Sequence, residues 1–83
     1  MNQWFVYMVR ASDDSLYTGI TTDLARRLSE HQAGKAGAKY FRGRSAIAMV
    51  YSETADGRSA ASIREAAIKK LSREKKLELI KKY

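Results

Sequence analysis

The chain has 83 residues, which supports one small domain, residues 1–83, and leaves no room for a second core. It contains no cysteine and one histidine, which excludes disulfides, thiolate metal sites and histidine-rich zinc sites. Sixteen Lys and Arg residues against nine acidic ones give a net charge of +7, which favours an anionic partner, nucleic acid ahead of a membrane surface.

The N-terminal part of the chain predicts a β-hairpin. Residues 4–9 are aromatic and β-branched, a turn-rich segment follows, and strand character resumes over residues 16–20. A hairpin centred on Ser12 places Tyr7 directly opposite Tyr17 on the same face of the sheet. The pattern therefore predicts two adjacent tyrosines near the start of the fold.

The next segment predicts a helix. Thr21–Asp23 provides a capping hydroxyl and an acidic residue at the helix start, and Gly34 is a typical C-terminal stop. A helical wheel places Leu24 and Leu28 at the centre of the buried face. This helix is therefore expected to pack on the sheet through a narrow apolar stripe.

Four further side chains of this helix carry or can acquire a charge. Arg26 and Glu30 point away from the core and are spaced as an i,i+4 ion pair. Arg27 and His31 fall beside the buried stripe. An arginine at that edge is unusual for a purely solvated helix face.

The remaining elements predict the fold class. A glycine-punctuated basic loop covers residues 35–44, and Ala46–Tyr51 reads as a third strand, largely apolar and expected to be central. Ser59 is expected to cap a second helix and Ser72 a third. The order β-β-α-β-α-α predicts an α+β fold, with a small three-stranded antiparallel or mixed sheet flanked by helices.

Two tripeptides and three single residues carry a family resemblance. Phe5–Tyr7 and Tyr17–Gly19 are followed by Arg27, by His31 one helical turn later and by Glu65 downstream. This pattern resembles the GIY-YIG nuclease domain over nearly the whole chain, and most of all its small single-domain (YhbQ-like) members. Either tripeptide alone is a weak signal, whereas the combination is a strong one.

The sequence departs from the family pattern at three places. The first tripeptide keeps only its tyrosine, and Thr18 replaces the middle isoleucine of the second. Homing-type members also carry a late asparagine, whereas no asparagine occurs here after Asn2. The last departure concerns the type of substrate more than the chemistry.

The resemblance implies a fold, an activity and a set of roles. It implies a three-stranded sheet flanked by helices that cuts phosphodiester bonds with one divalent metal ion, Mg²⁺ or Mn²⁺. By position, the implied roles are proton transfer or water orientation for Tyr7 and Tyr17, close packing for Gly19, charge stabilisation for Arg27, proton relay for His31 and metal binding for Glu65. Which tyrosine is the general base stays open.

Each of these residues also has a purely structural interpretation. Taken singly, the tyrosines fit strand packing, Arg27 fits a partly buried ion pair and His31 fits a packed helix histidine. Glu65 has Lys69 at i+4, the favourable orientation for a surface pair that stabilises a helix by only about 0.2–0.5 kcal/mol.

The basic loop is the best candidate for contact with nucleic acid. Basic side chains meet phosphates and an aromatic ring, Tyr40 or Phe41, can stack on an unpaired base. The predicted contact residues are Lys35, Lys39, Tyr40, Arg42 and Arg44. The alternative is a solvated loop with Phe41 packed into the core.

Together these features predict a metal-dependent endonuclease that acts on DNA or RNA, with specificity from substrate shape or from a partner protein. The start of the sequence, Met1–Trp4, lacks a charged n-region, and no segment approaches the roughly 18–20 apolar residues that span a bilayer. We therefore expect a cytoplasmic protein with no membrane partner. The alternatives are a nucleic-acid-binding module of the same fold without useful turnover, and a basic RNA- or ribosome-associated protein whose tyrosines only pack.

Overall fold

The computed structural model describes residues 3–34 and 39–83. The fold is α+β, as predicted, and its elements follow the predicted order with one short 3-10 helix added in the basic loop. The strands are β1 Trp4–Ala11, β2 Leu16–Thr21 and β3 Ala46–Ala55, the α-helices are α1 Leu24–Gln32, α2 Arg58–Lys69 and α3 Arg73–Lys81, and the 3-10 helix is Lys39–Phe41.

The three strands form one antiparallel sheet in the order β2-β1-β3. The prediction that β3 is central was wrong, because β1 lies between the other two strands. Every residue from Val6 to Val9 is buried, as expected of a strand that is covered on both faces. Strand β3 instead exposes side chains such as Ile47 and Thr54 along its length, which suits an edge.

The register of the hairpin differs from the prediction. Tyr7 lies opposite Gly19, and Tyr17 lies opposite Val9, so the two tyrosines are not a direct cross-strand pair. The difference is an even number of residues, and side chains alternate between faces with a period of two. Both rings therefore still share one face of the sheet, with their centroids 6.4 Å apart.

The turn between β1 and β2 explains the register. The N–H of Ala11 donates to the Ser15 carbonyl, and the N–H of Asp14 donates to the Ala11 carbonyl, both at 2.9 Å. Asp14 adopts a left-handed conformation with φ of 68°, which moves the centre of the turn past Ser12. Ser12 instead fastens the turn to the start of β3, because its Oγ accepts from the N–H of Ser45 at 2.9 Å.

The helices cover the two faces of the sheet separately. Helices α2 and α3 pack on the face of the sheet that carries Val6 and Met8. The buried residues there also include Tyr51 of β3 and Ala61 and Ile68 of α2. Helix α1 and Phe41 cover the opposite face, where Tyr7, Tyr17 and Val9 lie against Leu24 and Leu28. The two motif tyrosines therefore face α1.

The ends of the helices confirm some predicted signals and correct others. Ser72 caps α3 through its hydroxyl, and Gly34 follows α1 with φ of 71°, both as predicted. Helix α1 is capped by the carboxylate of Asp23 rather than by a hydroxyl. The predicted cap by Ser59 was wrong, because α2 begins directly after Gly57, whose φ of 95° suits glycine and supplies no side-chain cap.

Candidate active site

A buried hydrogen bond joins the first strand to the first helix. The Tyr7 hydroxyl lies 2.8 Å from Nε2 of His31, and both residues are almost fully buried. The other ring nitrogen, Nδ1 of His31, has no hydrogen-bond partner in the described part of the chain. A polar pair in this environment is held in a low-dielectric setting, where its hydrogen bond is stronger than in water.

Tyr17 lies at the centre of an aromatic cluster around this pair. Its ring centroid is 5.2 Å from that of His31 in an edge-on arrangement and 5.2 Å from that of Tyr40. The ring of Phe41 is 5.3 Å from Tyr17 and 4.7 Å from His31. These separations are typical of favourable aromatic contacts, so the cluster fixes the position of the Tyr17 ring.

The side chain of Arg27 is about one third exposed and points to Glu30. Its Nη1 lies 3.4 Å from Oε1 of Glu30. The second oxygen of Glu30, Oε2, lies 3.4 Å from Nε of Arg26, which confirms the predicted i,i+4 pair. Glu30 therefore contacts both arginines, and sequence analysis had assigned it only to Arg26.

Charged side chains of helices α1 and α2 act on the Tyr7 hydroxyl. Burial is the main cause that raises the pKa of the Tyr7 hydroxyl, followed by Tyr17. The guanidinium of Arg27 lowers that pKa, whereas the carboxylates of Glu65 and Glu30 raise it. Arg27 on α1 and Glu65 on α2 thus act electrostatically on the same hydroxyl, although they belong to opposite faces of the sheet.

The pKa of His31 is lowered, whereas the pKa of Tyr7 is raised. Burial, and then the nearby guanidinium of Arg27, lower the pKa of the His31 imidazole, while Glu30 partly opposes them. The imidazole is therefore neutral at pH 7, since its ordinary pKa is already about 6.5. A neutral imidazole has one nitrogen that can accept a proton.

Glu65 is a partly buried carboxylate on α2. Its Oε2 lies 3.3 Å from Nζ of Lys69, so the helical pair expected as the structural alternative is present. Within residues 3–34 and 39–83, no group of three or more His, Cys, Asp or Glu side chains is arranged to hold a metal ion. Any ion bound at Glu65 would have few protein ligands.

The predicted contact residues of the basic loop fall into three groups. Lys35 lies outside the described residues. Lys39 and Arg42 are exposed, as a surface for nucleic acid requires. Tyr40 and Arg44 are more constrained, because they contact other parts of the fold.

Tyr40 is held between Tyr17 and the guanidinium of Arg44, which lies 4.3 Å from the Tyr40 ring centroid. The Nε of Arg44 also lies 3.2 Å from Oδ2 of Asp13 in the hairpin turn. Phe41 packs against the core, as its structural alternative proposed, so only Tyr40 remains for stacking on a base. Sequence analysis missed Asp13, since its contact with Arg44 depends on the turn geometry.

Comparison with known proteins identifies the family. The family model described as the GIY-YIG catalytic domain matches residues 3–78. The chain belongs to the GIY-YIG family. A GIY-YIG domain is a nuclease fold, and this membership supports an endonuclease in general terms.

Several GIY-YIG relatives are similar along most of their length. A UPF0213 protein of Desulfotalea psychrophila is 53% identical over 94% of this chain and 71% of its own. The YhbQ protein of Escherichia coli, also UPF0213, is 44% identical over 96% of this chain and 79% of its own. The solution NMR structure of a UPF0213 protein from Bacillus halodurans is 40% identical, covers 95% of this chain and 83% of its own, and superimposes with a TM-score of 0.59.

None of the helices in the described ranges is long and apolar enough to cross a membrane.

Proposed function

We propose that this chain is a metal-dependent endonuclease that hydrolyses phosphodiester bonds in DNA or RNA. The observation that supports this most strongly is the buried hydrogen bond between Tyr7 and His31, at 2.8 Å, beside the charges of Arg27 and Glu65. Four residue types that phosphodiester hydrolysis can use are thus coupled across three elements.

Proton transfer is the role we assign to Tyr7 and His31. Burial raises the pKa of Tyr7, so its hydroxyl stays protonated and is a poor base by itself. The hydroxyl can instead pass its proton to Nε2 of His31 while it accepts a proton from the attacking water. The water oxygen bonds to phosphorus as the P–O bond to the leaving oxygen breaks, so that Tyr7 ends the step protonated and Nε2 of His31 holds the transferred proton.

Tyr17 and Arg27 have supporting roles in this scheme. Tyr17 is less buried than Tyr7, and its ring is fixed by aromatic contacts, so its hydroxyl can orient the attacking water. The guanidinium of Arg27 is always charged and stabilises the negative charge that develops on the phosphorus oxygens. Such stabilisation contributes about 10³-fold or more to rate in phosphoryl transfer.

The residues present fit a hard divalent cation that keeps most of its waters. Mg²⁺ binds through one or two carboxylates and completes its shell with water and substrate phosphates. Glu65 offers one partly exposed carboxylate, and it would exchange its contact with Lys69 for the ion. When bound, Mg²⁺ or Mn²⁺ would supply Lewis-acid stabilisation of the phosphate and of the leaving oxygen.

Binding of the nucleic-acid backbone is the role we assign to the basic loop. Lys39 and Arg42 are exposed and can meet phosphates directly, and we assign Lys35 to the same surface from its position in the sequence. Tyr40 and Arg44 form the side of the loop that adjoins Tyr17. Specificity would then come from the shape of the substrate or from a partner protein.

A cleavage panel tests the proposed function. Labelled single-stranded, duplex, flapped and branched DNA and RNA are incubated with Mg²⁺ or Mn²⁺ and with wild type, Glu65→Ala or Lys69→Ala. We expect metal-dependent cutting by wild type and by Lys69→Ala, and none by Glu65→Ala. The lysine variant breaks the same ion pair from the other side, so it separates loss of the metal ligand from loss of the pair.

The proposal would be contradicted if wild type bound the DNA and RNA substrates but cut none of them with either metal ion. In that case the binding-module alternative would describe the protein better. Equal cutting by wild type and Glu65→Ala would instead remove Glu65 from the mechanism.

A further inference from the structure

Each carboxylate oxygen of Glu30 contacts a different arginine. Oε1 lies 3.4 Å from Nη1 of Arg27, and Oε2 lies 3.4 Å from Nε of Arg26. Glu30 and Arg27 are each about one third exposed, whereas Arg26 is 75% exposed. The carboxylate of Glu30 therefore links the exposed Arg26 to the less exposed Arg27.

The contact with Glu30 uses only part of the hydrogen-bonding capacity of Arg27. A guanidinium has five N–H donors. Within the described part of the chain, Arg27 makes one side-chain hydrogen bond, from Nη1 to Oε1 of Glu30. The other donors are left for a phosphate. An arginine side chain loses rotamer freedom when it is fixed, so a contact that orders it in advance lowers that entropic cost in the complex.

The charge of Glu30 also reaches the titratable pair. Its carboxylate raises the pKa of both Tyr7 and His31, and so opposes the effect of Arg27 on each. Glu30 thus belongs electrostatically to the site as well as geometrically.

We propose that Glu30 is a positioning residue, which fixes the guanidinium of Arg27 for the scissile phosphate while leaving most of its donors free. This inference rests on the proposed function, and it assigns to Glu30 no contact with the substrate. The competing interpretation is that Glu30 only stabilises the helix through its i,i+4 and i,i+3 pairs with Arg26 and Arg27.

Kinetics of matched variants separates the two interpretations. The probe is the labelled DNA or RNA that wild type cuts best in the panel, and kcat and KM are measured for Glu30→Ala, Glu30→Gln and Arg26→Gln. Misplacement of a catalytic group by about 1 Å costs up to about 100-fold, so we expect kcat of Glu30→Ala to fall by roughly 10- to 100-fold with KM within about twofold. Glu30→Gln keeps an acceptor oxygen and should lose less.

Arg26→Gln is the matched control, because it breaks the outer half of the same contact and leaves Arg27 paired. We expect its kcat to stay within about twofold of wild type. In an Arg27→Ala background, Glu30→Gln should change the remaining rate by less than about twofold, since Glu30 acts through Arg27. A fall in kcat that is equal for Arg26→Gln and Glu30→Ala would overturn the inference.

A second readout needs no cleavage. ¹⁵N relaxation of the Arg27 Nε–H group reports the order of the guanidinium in wild type, Glu30→Ala and Arg26→Gln. The inference is supported if the Arg27 guanidinium is ordered in wild type and in Arg26→Gln but mobile in Glu30→Ala. A mobile Arg27 guanidinium in wild type overturns it. If wild type cuts no substrate, the proposed function fails together with this inference, whereas cutting that is unaffected by Glu30→Ala overturns the inference alone.

Discussion

A Cβ atom on Gly19 would lie 2.5 Å from the hydroxyl oxygen of Tyr7 and 2.7 Å from Cζ of the same ring. The Tyr7 ring therefore packs directly over Gly19 on the neighbouring strand. It occupies the space that a side chain at position 19 would fill. Among the glycines of residues 3–34 and 39–83, Gly34, Gly43 and Gly57 have positive φ and Gly19 does not, so steric space rather than backbone conformation requires glycine at position 19. The second tripeptide thus makes room for the tyrosine of the first.

Gly19→Ala should destabilise the fold by about 1–3 kcal/mol, because the added methyl group overpacks a buried ring. It should also disturb the bond between Tyr7 and His31. The free energy of unfolding is measured by chemical denaturation for Gly19→Ala alone and in a Tyr7→Ala background. The cost should nearly vanish in that background, and equal costs in both would contradict the steric explanation.

Thr18→Val should stabilise the protein by about 1 kcal/mol. The Thr18 hydroxyl is buried and has no hydrogen-bond partner among the described residues, and removal of such a group eliminates its desolvation cost. Thr21→Val is the matched comparison, because Thr21 lies on the same strand but its hydroxyl accepts from the N–H of Asp23 at 3.0 Å. Denaturant midpoints should move in opposite directions for the two variants.

The stability of the protein should fall as the pH is lowered from 7. Burial and then Arg27 lower the pKa of His31, the only histidine of the chain, below its ordinary value near 6.5. Below about pH 6.5 His31 becomes protonated in the unfolded state while it stays neutral in the folded state, so the free energy of unfolding decreases. The decrease should level off once the pH is below the lowered pKa of the folded state.

His31→Gln provides the control for this pH dependence. It removes the titrating group, so its unfolding free energy should change less than that of wild type between pH 7 and the pH at which carboxylates begin to titrate. The difference between the two proteins should shrink as the pH falls. Parallel curves would mean that His31 does not account for the dependence.

The sequence predicted the elements of the fold better than their spatial relationships. The order of strands and helices followed from apolar periodicity, and the candidate site residues came from the resemblance to the GIY-YIG family. The pairing of Tyr7 with Gly19 was not predictable from loop length, because the left-handed Asp14 shifts the turn by one residue. The central position of β1 depended on which strand is covered on both faces, which a run of apolar residues in β3 did not reveal.

The shared role of Glu30 was missed for a different reason. The i,i+4 spacing to Arg26 was noticed, and the i,i+3 spacing to Arg27, which is equally permitted on a helix, was not considered. The link from Asp13 through Arg44 to Tyr40 joins the hairpin turn to the basic loop, two segments that are distant in sequence. No local pattern encodes such a contact.

Lys39→Gln and Arg42→Gln should weaken binding of nucleic acid and reduce its salt dependence. Each phosphate contact releases condensed counterions, so the slope of log K against log salt should fall by about 0.7–0.9 per contact removed. Fluorescence anisotropy over a range of salt concentrations measures this slope. Lys70→Gln, an exposed lysine at the end of α2, is the control and should leave the slope unchanged.

The Tyr17 hydroxyl is assigned to phosphodiester hydrolysis, and single-turnover cleavage by Tyr17→Phe is the first test of that assignment. The change keeps the aromatic ring and removes one oxygen, while Tyr83→Phe removes a hydroxyl from an exposed tyrosine near the C-terminus. We expect Tyr17→Phe to lose about 10²-fold or more in rate, the range typical of proton-transfer and orientation effects, with binding near that of wild type. A rate for Tyr17→Phe equal to that of Tyr83→Phe would contradict the claim and leave Tyr17 as a packing residue.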